Sequence, residues 1–254
     1  HIDGPHSRMP FGLYKIGRIA VGQISKFLTN DVVNDPQIGN HEWVKAVGVS
    51  IENESERKAL ISKAAVVISL LPPALHYQVA LDCLAFEKHL LTASYADDKI
   101  KALADQLKKK GILFLCEMGL DPGIDHMSAM QLIHRIKKEG GHIHSFLSHC
   151  GGLVAPESDD NPWHYKISWN PRNVVMAGNA GAVYKEKSKI KNQKYEGLFA
   201  DCAEVSIDGL GKLAYYPNRN SLSYIPVYGL EEADTFIRTT LRHPDFCKGW
   251  QLIV

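Results

Sequence analysis

Between residues 64 and 116 the sequence alternates apolar runs of strand length with stretches of helical periodicity, joined by short links. Ala65 to Leu70 (AVVISL) is a continuous apolar run, the pattern of a strand buried on both faces. Pro72 and Pro73 stop it. Leu75, Val79, Cys83 and Phe86 then recur at spacings of four, four and three, which predicts a helix. His89 to Ala93 reads as the next strand. Ile100, Leu103 and Leu107 define a second helix, closed by Lys108, Lys109, Lys110 and Gly111, and lysines there suit the negative end of the helix dipole. Ile112 to Cys116 is the following strand. Parallel neighbours need crossover helices, so this run predicts a doubly wound parallel α/β sheet.

Elsewhere the pattern is weaker. Residues 16–28 predict a short helix with Ile16, Ala20, Ile24 and Phe27 on one face. Val44 to Val49 reads as a strand and Glu54 to Lys63 as a polar helix. Ile124, Met127, Met130, Ile133 and Ile136 recur every three residues, a helix that Gly140 and Gly141 end. Beyond residue 142 the regular alternation stops. His142 to His149 predicts a strand, Gly151 to Pro171 a long loop, Val174 to Tyr184 a helix and Ala203 to Ile207 a strand. Loops of that length inside a compact domain are functional or disordered. The change of pattern divides the chain into residues 1–122, a parallel-sheet α/β domain, and residues 123–254, an α+β domain.

Composition excludes several classes. With 254 residues the chain can bury a real core, and a net charge of +1 leaves no basic field, so nucleic acid is not an expected partner. No apolar run approaches the ~18–20 residues of a membrane helix, so no membrane partner is expected. The five cysteines stand singly without CxxC spacing, which predicts buried thiols in a reducing cytoplasm. No secretory signal pattern opens the sequence.

Ligands of open parallel sheets sit beyond the carboxyl ends of the strands. Three such ends carry unusual residues: Ser69-Leu70-Leu71-Pro72-Pro73, Thr92-Ala93-Ser94-Tyr95, and Glu117-Met118-Gly119-Leu120-Asp121-Pro122-Gly123. On the sheet reading all three open on one edge, placing the hydroxyls of Ser94 and Tyr95 and the carboxylate of Asp121 around one crevice. Asp121-Pro122 is equally a good helix start, with the Asp as cap. His126 reads as a satisfied, partly buried histidine. Cys150-Gly151-Gly152 follows a strand, where paired glycines make either a tight turn or a close approach to a ligand. Arg219 and Arg242 are candidate carboxylate forks, or solvated surface charges. Neither a nucleophile elbow nor a GxxxxGK[ST] phosphate loop is present. His142, His144 and His149 alternate on a strand without a matching carboxylate or cysteine pattern, so no metal is expected.

Taken together, VISLLPPALHYQVA, LLTASYADD, EMGLDPGIDHMSAM, SHCGGLVAPESDDNPWHYKISWNPR, YYPNRNSLSYIPVYGL and FIRTTLRHPDF resemble the saccharopine reductase family, in family order across most of residues 64–250. The resemblance implies a Rossmann-like cofactor domain followed by a substrate-binding and dimerisation domain. It implies an oxidoreductase of lysine metabolism that moves a hydride between NADP(H), rather than NAD, and saccharopine, a small molecule with three carboxylates. Ser94, Tyr95, Asp121, Arg219, Thr240, Leu241 and Arg242 are the implied substrate contacts. Leu71, Pro72, Ser94, Leu120, Asp121 and Pro122 are the implied cofactor contacts, with Gly17 a remnant of the phosphate turn. Asp121 and Tyr95, then Cys150, are the candidates for proton handling. A homodimer is implied as well.

The sequence also departs from the family pattern. No apolar strand with an intact GxGxxG precedes residue 28, and the chain ends soon after Arg242, so both ends read as altered or shortened. Two rival readings follow: a dehydrogenase of a carboxylated polyamine, which shares SLLP and GLDPG, and a degenerate saccharopine-binding protein without cofactor.

Overall fold

The computed structural model describes residues 49–167, 174–176 and 178–254, with the backbone of Ile19–Val21 and Val44–Ala46. The chain divides into two compact units, His1–Pro122 and Gly123–Val254.

In the first unit, β1 (Ile19–Val21) pairs in parallel with β2 (Val44–Ala46). A helix was the expectation for 16–28, and over residues 19–21 the chain is extended instead. β-branched Ile19 and Val21 favour that state, and a parallel partner supplies their hydrogen bonds. Helix α1 (Glu54–Ile61) starts where the Asn53 side chain accepts the Glu56 N–H, with Glu54 and Glu56 at the positive end of the dipole. Then follow β3 (Val66–Ser69), α2 (Pro73–Ala85), β4 (His89–Thr92), the short helices α3 (Asp98–Lys101) and α4 (Ala104–Lys110), and β5 (Phe114–Leu115). The three strands form a parallel sheet in the order β3-β4-β5, with Ser69 opposite Thr92. Helix α4 ends on Gly111 at φ 65°, a left-handed cap that glycine reaches without strain.

Val79, Ala80, Cys83 and Leu84 of α2 pack with Ile61, Leu71, Leu90, Ile100 and Leu103 to form this unit's core. The strand expected to be buried on both faces is covered on one only among the described residues. Val66 and Ile68, two positions apart on one face of β3, remain exposed.

The second unit opens with α5 (Ile124–Lys138), then β6 (Ser145–Cys150), and the hairpin β7 (Ala182–Glu186) and β8 (Lys189–Gln193). β9 (Ala203–Ile207), β10 (Gly211–Pro217), β11 (Arg219–Asn220), α6 (Ile225–Tyr228), β12 (Thr235–Arg242) and α7 (Pro244–Gln251) complete it. A helix was expected over 174–184, but Ala182 already belongs to a strand. Gly178 and Gly181 sit at φ 84° and 65°, which ends any helix, and Val183 and Tyr184 suit the pleated strand that follows. β12 is the central strand of a mixed seven-stranded sheet, antiparallel to β10 and parallel to β6.

Candidate active site

In the first unit the three strand ends lie on the carboxyl edge of one parallel sheet. The Glu117 N–H donates to the Ser94 carbonyl at 2.9 Å and the Met118 N–H to the Thr92 carbonyl at 3.1 Å. These bonds tie the loop holding Asp121 to the end of β4. The Tyr95 hydroxyl then donates to Oδ1 of Asp121 at 2.8 Å. Two of the residues proposed for proton handling are therefore in direct contact. Asp121 does not cap the next helix: α5 begins at Ile124, and Asp125 accepts the Gly123 N–H at 2.7 Å. That displacement leaves the Asp121 carboxylate to meet the tyrosine.

Ser94 is positioned by a residue the sequence reading passed over. His76, buried on α2, places Nε2 2.7 Å from Ser94 Oγ and Nδ1 2.8 Å from Ser69 Oγ. Thr92 Oγ1 lies 3.4 Å from the same Nε2 and accepts the Ser94 N–H at 3.2 Å. Burial holds the imidazole below its ordinary range, with Asp97 acting weakly the other way. A neutral ring with a hydroxyl at each nitrogen donates on one side and accepts on the other. The signal was present in the sequence: His76 shares the face of Ala80, Cys83 and Leu84, four, seven and eight positions on, and all of them are buried.

The remaining cofactor candidates divide by exposure. Leu71 is buried in the core, so its backbone alone can meet a ligand, while Pro72 and Leu120 are exposed and Pro122 is buried. Gly17 lies outside the described residues.

In the second unit, Cys150, Thr240 and Tyr216 stand in one row across β6, β12 and β10. Gly151 serves strand packing rather than a ligand. A Cβ there would come within 2.1 Å of the Leu241 carbonyl oxygen, whereas Gly152 has nothing within 4 Å. Leu241 is buried and Thr240 half-buried. Burial pushes the Tyr216 hydroxyl up to about 12, against the opposing pull of Arg242.

Two buried arginines of β12 have different surroundings. Arg238, 8% exposed, pairs with Asp125 at 3.0 Å and stacks over Tyr224. Arg242, 5% exposed, lies over the rings of Tyr165 and Phe246 and donates to the Leu241 carbonyl at 2.8 Å. Its Nε meets no acceptor, and the described residues offer it no carboxylate. Arg219 is exposed at φ 51° beside β7. Nδ1 of His126 bonds the Tyr228 hydroxyl and its ring stacks on Tyr224. None of the five cysteines is in a disulfide.

Comparison with known proteins places this geometry. Residues 25–115 match the family model "Saccharopine dehydrogenase NADP binding domain", and residues 119–254 match "Saccharopine dehydrogenase C-terminal domain". The chain is 42% identical over 206 residues to an alpha-aminoadipic semialdehyde synthase of Arabidopsis thaliana, covering 80% of this chain and 19% of that protein. It is 37% identical over 208 residues to the saccharopine dehydrogenase [NADP(+), L-glutamate-forming] of Saccharomyces cerevisiae, covering 81% of this chain and 47% of that one. A solved structure of apo saccharopine dehydrogenase (L-Glu forming) from Saccharomyces cerevisiae superposes with a TM-score of 0.78 at 31% identity, over 90% of this chain and 55% of the other. The chain thus spans about half the length of the yeast enzyme.

Proposed function

Given that the chain belongs to the saccharopine dehydrogenase family, we propose that it transfers a hydride between NADP(H) and saccharopine, the L-glutamate-forming reaction of lysine metabolism. Residues 1–122 hold the cofactor and residues 123–254 bind substrate. The observation that carries this reading is Arg242: a guanidinium 5% exposed, over two aromatic rings, without a carboxylate among the described residues. A buried cation is costly unless an anion meets it, and saccharopine brings three carboxylates.

The first unit suits a dinucleotide. Leu70, Met118 and Leu120, in the segments that follow β3 and β5 at the carboxyl edge of the sheet, expose apolar side chains. An aromatic ring would cover such a surface. Leu71 through its backbone, with Pro72, Ser94, Leu120, Asp121 and Pro122, would hold the cofactor there. When bound, it supplies the hydride acceptor at its nicotinamide ring.

In the oxidative direction the substrate's secondary amine loses a hydride from carbon and a proton from nitrogen. Water then splits the imine into glutamate and the semialdehyde. Asp121 takes the proton, and Tyr95, hydrogen-bonded to it, keeps the carboxylate oriented. Cys150, in the row of Thr240, is the third candidate for a proton. Ser94, held by His76, donates to substrate. Arg242 and Arg219 take carboxylates, with Thr240 and Leu241 lining the same stretch.

The same reading makes the protein a homodimer in the cytoplasm, which sedimentation and cell fractionation test. No helix among the described residues is long and apolar enough to cross a membrane. The decisive experiment mixes the chain with NADP+ and saccharopine and follows the reduced-nicotinamide absorbance. A rise is expected. NADP+ and saccharopine that each bind by calorimetry without any rise would leave a binding protein and end the enzyme reading.

A further inference from the structure

At one end of the second unit, two imidazoles and two carboxylates come together from separate stretches of chain. Asp159 and His164 belong to the loop after β6, and His243 and Asp245 to the start of α7. Nδ1 of His164 lies 2.6 Å from Oδ2 of Asp159, and its Nε2 lies 3.9 Å from Oδ2 of Asp245. Nδ1 of His243 is 3.6 Å from that same Asp245 oxygen, while the other oxygen takes Lys248 at 3.1 Å. One ligand atom from each of His164, His243 and Asp245 lies within 4.8 Å of the other two. We propose that these three residues form a binding site for a divalent transition-metal ion, zinc being the best match, with Asp159 orienting His164 from behind.

The donor set decides the class of ion. Two imidazole nitrogens and one carboxylate oxygen suit zinc, cobalt or nickel, whereas magnesium and calcium want oxygen alone. Spacing agrees. Ligands ~2.0–2.2 Å from a tetrahedral zinc lie roughly 3.3–3.5 Å from one another, so the 3.6 and 3.9 Å separations need only a small inward shift. The two rings have centroids 3.8 Å apart and must splay to share an ion; both are partly exposed, and Nδ1 of His243 would exchange the Asp245 N–H, 3.4 Å away, for the metal. The Asp159–His164 contact is the carboxylate–imidazole arrangement that fixes which ring nitrogen faces a metal. Three protein ligands leave a fourth position for water.

The loop is built to present His164. Its backbone sits at φ 48°, a left-handed conformation sparsely populated outside glycine. The His164 N–H donates to the Asn161 carbonyl at 3.0 Å, and Asn161 Oδ1 accepts the Trp163 N–H at 3.1 Å. Trp163 packs edge-on to Phe246 and Trp250 of α7, against Gly249, where a Cβ would meet the indole at 2.5 Å. An ion here clamps the loop to the start of α7, through His243, the residue directly after Arg242. The site does not depend on the proposed reaction. It also differs from the histidines whose spacing drew attention in the sequence: His142 and His144 stack at 6.3 Å, with Nδ1 of His144 3.9 Å from Asp234, and Nδ1 of His149 bonds Thr239 Oγ1 at 2.7 Å.

The test titrates the chelator-treated full chain with zinc alone by calorimetry, and with cobalt by visible absorbance. One saturable equivalent is expected, with an intense tetrahedral cobalt spectrum. His243→Asn should weaken binding at least tenfold, and Asp159→Asn about 10–100-fold. His164→Gly should abolish it while the chain folds at least as stably, because glycine relieves the positive φ. The His142→Asn/His144→Asn pair should change nothing. Absence of saturable zinc binding overturns the proposal, as does binding that survives in folded His164→Gly or disappears with His142 and His144.

Discussion

Arg238 and Arg242 stand four positions apart on one strand, yet their replacement should have opposite consequences. Methionine at 242 keeps most of the stem's packing on Tyr165 and Phe246 and removes the fork. Saccharopine affinity should then fall by roughly thirty-fold or more, the ~2–3 kcal/mol of charged hydrogen bonds, with little change in melting temperature. Arg238→Met instead leaves Asp125 buried without its partner, and should cost about 3–5 kcal/mol of stability. Equal loss of stability in both variants would show Arg242 to be structural. The histidines supply a prediction in pH. Burial lowers His76 and His149, so unfolding lets both return to the ordinary value and bind protons more readily. Their contribution is complete above about pH 6.5 and is lost as pH falls below it. The acid-side drop in melting temperature should therefore shrink in a His76→Gln/His149→Gln protein, and an unchanged drop would refute the assignment. The sequence made Ser94, Tyr95 and Asp121 legible because strand ends of a parallel sheet share an edge. It did not separate the fates of two arginines on one strand, since Asp125 lies more than a hundred positions from Arg238 and only the fold brings them together.

Among the elements, β6 and β12 show how one atom sets a strand contact. They pair in parallel from Ser145–Thr235 to Cys150–Thr240, and the residue after β6, Gly151, lies against the Leu241 carbonyl. Gly151→Ala must push the strands apart where the Arg242 stretch is held, and should cost about 3 kcal/mol or more, whereas Gly152→Ala should stay within ~1 kcal/mol. Chemical denaturation measures both, and similar costs would refute the contact. A second tie lies in the first unit. Arg57 of α1 meets Asp82 of α2 at 2.6 Å, both buried, and donates to the Ile51 carbonyl at 2.7 Å. Asp82→Ala should destabilise by about 3–5 kcal/mol, more than an Arg57→Met/Asp82→Leu pair that leaves no orphaned charge. The β3-α2-β4 run was readable because apolar run length and helical spacing are local properties. Residues 182–184 were misread because helical spacing continued through Gly178 and Gly181, whose left-handed backbone ends a helix. The two-residue β5 was placed within a longer apolar run because hydrophobicity does not mark where pairing stops.

At the scale of the whole molecule, each unit carries its own core: Leu71, Val79, Cys83 and Leu90 in the first, and in the second Tyr216, Phe246 and Leu198 in one cluster with Ile133, Tyr228 and Phe236 in another. Units with separate cores need not unfold together, and a ligand stabilises only the state that binds it. If residues 1–122 hold NADP and residues 123–254 supply the buried arginine for saccharopine, the two ligands should act on different parts of the melt. Scanning calorimetry should show two transitions. At a hundred times its dissociation constant NADP+ adds ~2.7 kcal/mol to the unit that holds it, enough to raise that transition by roughly 10 °C in a domain of this size. Saccharopine should raise the other, and Arg242→Met should abolish only the second shift. One transition moved equally by either ligand would mean that the division of labour is wrong. Two transitions of which neither responds to NADP+ would mean that the exposed apolar edge at Leu70, Met118 and Leu120 meets some other surface.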